Sequence, residues 1–366
     1  MWEGPRGASE DLVRGAAQCA DRVLAVFLCF LCRRCRLLGI VSLLCATPCT
    51  LCVESLALSS LHVPLRPWRV FLAQPGNLPQ RPTAGMHDLP HVIGHRGAKS
   101  VAPENTLASV RAAAAMGCTW VEVDVMLTKD KVPVIHHDNT LDRCTNGKGN
   151  LWDYTLEEIE QLDAGSFFSA DFAGERIPRL TALLECCREY KLGLNLEVKH
   201  LTVKSPDVPT PEEQAMEEEL AEVVCDTIEK CNVHPTELVF SSFSRPAIAV
   251  LRRRLPHFRC AFLVEDIPDD WQDFMTKHQC VSLNFWARGP ANTPDRIQDC
   301  TRKALCYSYT VNDGDLALQL LAWGVSGIFS DCPHIVAPHL QPFMVEKKCA
   351  SPLISSIPAV VTPAVM

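Results

Sequence analysis

From residue 91 onward the chain alternates between two hydrophobic periods. Short apolar or alternating runs at 91–95, 120–127, 192–199, 237–242, 259–264, 280–285, 304–311 and 327–331 have the composition of strands. Between them, helical spacing or helix-starting residues mark 105–116, 181–190, 211–230, 244–255, 269–277, 293–303 and 313–323, with Thr210 as the expected cap of the glutamate-rich segment. Eight strands, each followed by a helix, over roughly 240 residues predict an α/β fold of the (β/α)8 TIM barrel type. A doubly wound open sheet is the other candidate, but no Gly-rich phosphate fingerprint follows the first strand.

One stretch breaks the strand–helix rhythm. In residues 120–138 two strand-like runs flank Thr128-Lys129-Asp130-Lys131, a connection too short for a parallel crossover, so an antiparallel hairpin is expected. A turn centred between Lys129 and Asp130 sets Leu127 opposite Val132, Asp124 opposite Ile135 and Glu122 opposite His137. Glu122, Asp124 and His137 then share one face, and Val121, Val123, Val125 and His136 the other. Carboxylates held that close repel unless a proton or cation lies between them. Oxygen donors beside a histidine, with no cysteine at matching spacing, suit Mg²⁺ or Ca²⁺ better than Zn²⁺. The plainer alternative is an ordinary strand whose surface acids are salt-bridged to neighbours.

Composition narrows the setting. The 366 residues suffice for one large barrel or two smaller domains, and 47% hydrophobic with 21% charged residues is ordinary for a folded chain. A formal net charge of −8, without interleaved basic and aromatic residues in the central region, argues against nucleic-acid binding. The 19 cysteines show no repeated zinc-finger spacing and read as small core hydrophobes of a reducing compartment, which points to an intracellular protein.

Residues 1–90 form an extension unlike the rest. Apolar runs at 23–32 and 37–53 are separated by Arg33, Arg34 and Arg36, and the second contains Pro48. Three readings of 23–53 stand open: a single membrane anchor, an interfacial or targeting segment, or an extension of little consequence. Glu3, Glu10, Asp11 and Asp21 precede the apolar run, which argues against a cleavable signal peptide. A Pro-rich stretch over 64–90 reads as a linker, so the barrel domain is placed at 91–338 and a disordered tail is expected at 339–366.

Barrels of this architecture carry chemistry at the C-terminal ends of their strands. Those ends hold His95 and Arg96, Glu122 and Asp124, Glu197 and Lys199, and then Ser242, Asn284, Asn312 and Asp331. Glu122, Asp124 and Glu197 meeting on one divalent cation would leave room for substrate oxygens, which is the character of an open catalytic site. Arg96 and Lys199 add the fixed positive charge that a phosphodiester's oxygens need during displacement at phosphorus. His95 and His137, from different strands, could stand on either side of the phosphorus as base and acid, with His136 turned away as the control.

These residues carry a family resemblance. His95-Arg96-Gly97, Pro103-Glu104-Asn105-Thr106, Val121-Glu122-Val123-Asp124, His137-Asp138, Glu197-Val198-Lys199, Thr310-Val311-Asn312 and Gly327-Ile328-Phe329-Ser330-Asp331 resemble the ordered motifs of the glycerophosphodiester phosphodiesterase family, its compact bacterial-type members above all. Residues 141–149 and 163–166 are similar to the family's small insertion after the hairpin. The resemblance implies a barrel of the phospholipase-C-like phosphodiesterase type, metal binding by Glu122, Asp124 and Glu197, acid/base roles for His95 and His137, and phosphate contacts from Arg96 and Lys199. It also implies hydrolysis of a small-molecule glycerophosphodiester to sn-glycerol 3-phosphate and an alcohol such as choline or ethanolamine, although some relatives act on lysophospholipids. Tyr309 stands where relatives commonly carry Trp. Two further readings differ in kind: a non-catalytic barrel binding a phospholipid headgroup or a partner protein, and a barrel hydrolase or lyase acting on a phosphorylated sugar. The sequence leaves the oligomeric state open.

Overall fold

The structure, a computed structural model, describes residues 89–201 and 210–350, with side chains through 342. The apolar segment at 23–53 and most of the Pro-rich linker lie outside the described residues. Among those described, no helix is long and apolar enough to cross a membrane.

The expected alternation of strands and helices closes on itself. Eight parallel strands, β1 (Val92–Gly94), β2 (Trp120–Leu127), β4 (Gly193–Val198), β5 (Leu238–Ser242), β6 (Arg259–Val264), β7 (Ser282–Trp286), β8 (Leu305–Tyr309) and β9 (Gly327–Ser330), form a barrel in which β1 pairs with both β9 and β2. β3 (Pro133–Ile135) pairs antiparallel with β2 outside that ring. The helices between are α1 (Leu107–Ala115), the short α2 (Leu156–Ile159), α3 (Leu180–Glu189), α4 (Pro211–Lys230), α5 (Arg245–Arg254), α6 (Trp271–His278), α7 (Pro294–Thr301), α8 (Gly314–Ala322) and α9 (Pro333–Ala350).

Strand alternation divides the barrel into an apolar outside and a graded inside. Val121, Val123, Val125, Leu196, Val198 and Phe240 are fully buried in the outer core beneath the helices. Each such side chain contributes about 1.5–3 kcal/mol on burial. The inward positions start apolar, with Ile93, Val239, Ala261, Tyr307 and Phe329 clustered together and Trp120 packed against them. Further along the same strands the inward row turns polar: Glu122 pairs with Asn195 and Asp124 with Glu197 in the β2–β4 register.

Local chemistry sets the helix starts. Thr210 accepts from the Glu213 N–H while the Glu213 carboxylate accepts from the Thr210 N–H at 2.8 Å, with Pro211 in the first turn. The eleven cysteines whose side chains are described are free thiols and eight of them are buried, as small core hydrophobes would be.

Two expectations need correction. The hairpin pairs Val125 with Ile135, Met126 with Val134 and Leu127 with Pro133, one residue out of step with the expected register. The connection from 128 to 132 has an odd length: Lys131 takes a left-handed φ of +62° and donates its N–H to Thr128 O, and Thr128 N–H donates to Val132 O. Asp130 Oδ1 also accepts the Leu156 N–H at 2.9 Å, so contact with the following insertion helps fix the turn. The second correction is at the C-terminal boundary. α9 runs across residue 338, and Leu340 is buried in the core, so the domain extends past the expected start of the tail.

Candidate active site

The first turn of the site is built from conformations that most residues avoid. Arg96 (φ +52°) and Asn105 (φ +57°) both lie in the left-handed region, and the Asn105 N–H donates to Arg96 O at 3.1 Å. Between them Gly97, at φ +83°, lies so close to Ser109 that an added Cβ would stand 2.5 Å from its Oγ. The turn folds back over the end of β2, where the Arg96 N–H donates to Glu122 Oε2 at 2.9 Å.

Glu122, Asp124 and Glu197 converge as the sequence suggested. Each offers one carboxylate oxygen within 4.8 Å of the others, and all three are buried. Their environments differ. Burial alone would raise the Asp124 carboxyl, but Lys199, His137 and Arg96 hold it below the usual carboxylate range, helped by the Asn105 amide at 2.8 Å. Lys199 Nζ stands 2.7 Å from Glu197 and 3.3 Å from Asp124, and those carboxylates keep its ammonium charged despite burial. Glu122 has no lysine or arginine side chain at ion-pair distance among the described residues, and Arg96 opposes the effect of its burial only weakly. Burial, Asp124 and Glu197 push its carboxyl well above its ordinary value, and Oε1 is buried without a hydrogen-bond partner.

Both histidines are oriented by acids to which sequence reasoning gave no such part. His95 Nδ1 lies 2.6 Å from Asp331 Oδ1, leaving Nε2 3.9 Å from Glu122 Oε2. Burial lowers the His95 pKa, with Asp331 opposing it. Asp331 is itself held by Asn312, whose amide donates to Oδ2 at 2.8 Å. His137 Nδ1 lies 2.6 Å from Asp138 Oδ1. The register that brought His137 opposite Glu122 does not hold, since the ladder partner of Asp124 is the His136 N–H at 2.9 Å. His137 comes to the site instead because the chain leaves the sheet there, near enough for its charge to bear on Asp124. His136 is buried with its ring 3.0 Å from Thr140 O.

A second ring of charge holds these groups. Glu104, buried, receives Arg96 Nη1 at 2.6 Å and Arg143 at 2.8 and 2.9 Å; burial would raise its carboxyl, but the two arginines draw it down to about 2. Arg143 also grips Asp138 at 2.7 and 2.9 Å, so one guanidinium from the insertion links the partner of Arg96 to the partner of His137. Glu104 and Asn105 stood in a quoted motif but carried no role, because nothing local shows that they reach β2. His200 was missed altogether: burial lowers its pKa to about 4, and Nδ1 has no hydrogen-bond partner.

The chain is similar to known proteins over most of the described residues. The profile of the Glycerophosphoryl diester phosphodiesterase family matches residues 95–335. A glycerophosphodiester phosphodiesterase of Caldanaerobacter subterraneus subsp. tengcongensis is 32% identical over 247 residues, covering 66% of this chain and 94% of that protein. Glycerophosphodiester phosphodiesterase 1 of Homo sapiens is 45% identical over 109 residues, 29% of this chain and 33% of its own length. Among solved structures, a phosphodiesterase from Oleispira antarctica in complex with the product sn-glycerol-3-phosphate superposes with a TM-score of 0.62 at 33% identity, covering 69% of this chain and 97% of that one.

Proposed function

The chain belongs to the glycerophosphoryl diester phosphodiesterase family and is an enzyme of that class, and on this premise we propose that it hydrolyses glycerophosphodiesters such as glycerophosphocholine and glycerophosphoethanolamine to sn-glycerol 3-phosphate and the free alcohol. The observation that carries the reading is the convergence of Glu122, Asp124 and Glu197 beside Arg96 and Lys199. Three carboxylates against two buried cations leave an acid without a counter-charge, and the orphaned Glu122 Oε1 marks which one. That all-oxygen set fits a divalent cation, Mg²⁺ or Ca²⁺, held by these three residues. When bound, the ion would neutralise charge on a phosphoryl oxygen.

The chain's own groups supply the remainder. Arg96 and Lys199 bind the non-bridging oxygens, with Arg96 kept in place by Glu104. His95, neutral through burial and with its Nδ1–H donated to Asp331, takes a proton at Nε2 from the attacking water, whose oxygen becomes the new phosphate oxygen. His137, steadied by Asp138, gives a proton to the departing alcohol oxygen. The sn-glycerol-3-phosphate in the Oleispira antarctica structure supports the product assignment.

The test is an assay of the full chain on glycerophosphocholine and lysophosphatidylcholine in parallel, before and after chelation. Release of glycerol 3-phosphate from the first, lost on chelation and restored by Mg²⁺ or Ca²⁺, is the expected result. Turnover of the lysophospholipid alone would overturn the substrate assignment, and turnover indifferent to exhaustive chelation would remove the role of the triad.

A further inference from the structure

The rim of the barrel mouth across from the carboxylates is aromatic and acidic, and none of the roles above uses it. β7 and β8 end in register, Trp286 opposite Tyr309, and alternation from the buried inward residue Asn284 turns Trp286 into the mouth. The β6–β7 register pairs Leu263 with Asn284, so two residues further on Glu265 stands beside Trp286, whose N–H donates to Glu265 O at 3.3 Å. Trp286 is 39% exposed, although neighbouring inward positions are buried. Although the rest of the side chain is packed, the open part of the indole is available to a ligand.

The neighbouring groups are held firmly. Tyr309 OH donates to Val264 O at 2.8 Å, which fixes its ring. Phe243, just past β5, meets Tyr309 edge-on at 6.0 Å and the His200 ring at 5.0 Å. Electrostatically Tyr309 feels both Glu197 and Glu265, so it spans the gap between the carboxylate triad and the rim. The two rim acids differ in what they have to bind. Asp266 accepts the Ala291 N–H at 2.9 Å, whereas the Glu265 carboxylate, exposed, has no hydrogen bond or ion pair among the described residues.

Aromatic faces with a free carboxylate beside them favour a cationic ligand. Ring quadrupoles attract a substituted ammonium ion, most strongly at indole, and the carboxylate adds a charge of the right sign. A neutral polyol can stack on the indole and donate hydroxyls to the carboxylate, but it carries no positive charge for the ring quadrupole and the carboxylate to attract. The strand order places this rim on the side of the mouth opposite the phosphate-binding Arg96 and Lys199, where one of the two alcohol groups of a bound diester would have to lie. We infer that Trp286, Tyr309, Phe243 and Glu265 form the subsite for an ammonium-bearing leaving alcohol, which makes the enzyme discriminate by the charge of that alcohol. The inference rests on the proposed hydrolysis, because it presumes that a phosphodiester sits at the triad.

The test compares kcat/KM for glycerophosphocholine and glycerophosphoinositol, which share glycerol phosphate and differ in the alcohol, and measures choline binding by calorimetry. The wild type should favour the choline diester, and Trp286→Ala should cut that preference about tenfold. Glu265→Gln should cut it severalfold, and Trp286→Phe should keep most of it. Choline alone should bind the wild-type chain and bind Trp286→Ala more weakly. A Trp286→Ala variant with unchanged melting that slows both diesters by the same factor would overturn the subsite, as would a wild type without preference. If neither diester is hydrolysed yet choline binds through Trp286, the subsite stands and the proposed reaction falls; if choline also fails to bind, both fall.

Discussion

Asp331→Asn changes one charge without changing shape, and the geometry fixes what should follow. Asp331 Oδ1 lies 2.6 Å from His95 Nδ1, so that nitrogen carries the proton and Nε2 keeps the lone pair that a base needs. An amide at 331 has only one acceptor. Asn312 donates to the other oxygen at 2.8 Å, so the amide carbonyl is drawn to Asn312 and its NH₂ faces His95. The imidazole then has to accept at Nδ1 and carry its proton on Nε2, 3.9 Å from Glu122, where it can no longer take one from a nucleophile. General-base assistance contributes roughly 10²–10⁴-fold, so kcat for glycerophosphocholine should fall by that order while KM changes little. The lost charge-assisted hydrogen bond should cost about 1.5–3 kcal/mol of stability, visible as a small drop in Tm. The assay is steady-state release of glycerol 3-phosphate alongside a thermal melt. A variant that keeps kcat within threefold of wild type while remaining folded would refute the tautomer argument and, with it, His95 as the base.

Three further expectations follow from the same contacts. His137→Ala should remove turnover with little loss of stability, whereas His136→Ala, which vacates a buried ring bonded to Thr140 O, should lower Tm and leave kcat within a few fold; equal losses of kcat would contradict the assignment. Arg143→Lys breaks the fork between Glu104 and Asp138, and because lysine cannot reproduce two bidentate contacts, kcat/KM should drop about tenfold or more, with both KM and kcat affected; unchanged kinetics would detach the insertion from the site. Glu122→Gln should abolish the rise in Tm that Mg²⁺ or Ca²⁺ gives the wild-type chain, while the metal-free variant melts no lower, since the buried oxygen without a partner that it relieves costs about 1–3 kcal/mol; a thermal response to the ion equal to wild type would place the cation elsewhere.

The barrel was legible because its strands alternate so cleanly. In β2, Trp-Val-Glu-Val-Asp-Val sends every valine outward beneath the helices, and the acids can only go inside. The carboxylate triad followed from that pattern and from Glu197 in the neighbouring parallel strand, now seen in register with Asp124. The orienting acids were not legible, for two different reasons. Asp331 meets His95 across 236 positions of sequence, and only barrel closure, which pairs Gly94 with Ser330, puts the next residue of each strand side by side. Glu104 and Asn105 act through a turn held in left-handed backbone, which composition does not announce for residues other than glycine.

The hairpin register shows how a local misreading can leave the site intact. β1 is only three residues long and its pairing with β2 is confined to Gly94 and Val121, so the same edge of β2 is free from Val125 onward for β3 to cover. That pairing needs three residues of ladder and no particular loop parity, and the loop was free to take the odd length that the contact between Asp130 and Leu156 favours. A slip of one residue within a long strand would have turned every side chain over. Here the ladder stops at Ile135, and the placement of His137 passes to contacts outside the sheet, namely Asp138 and the Arg143 fork anchored on Glu104. Arg143 projects from an insertion with its own apolar cluster of Leu141, Leu151, Ile159 and Ile177 packed on Met126 and Val134 of the hairpin. The insertion therefore takes over from the sheet the task of aiming a histidine at the carboxylates, and the geometry of that half of the site depends on a guanidinium and two acids more than on strand pairing.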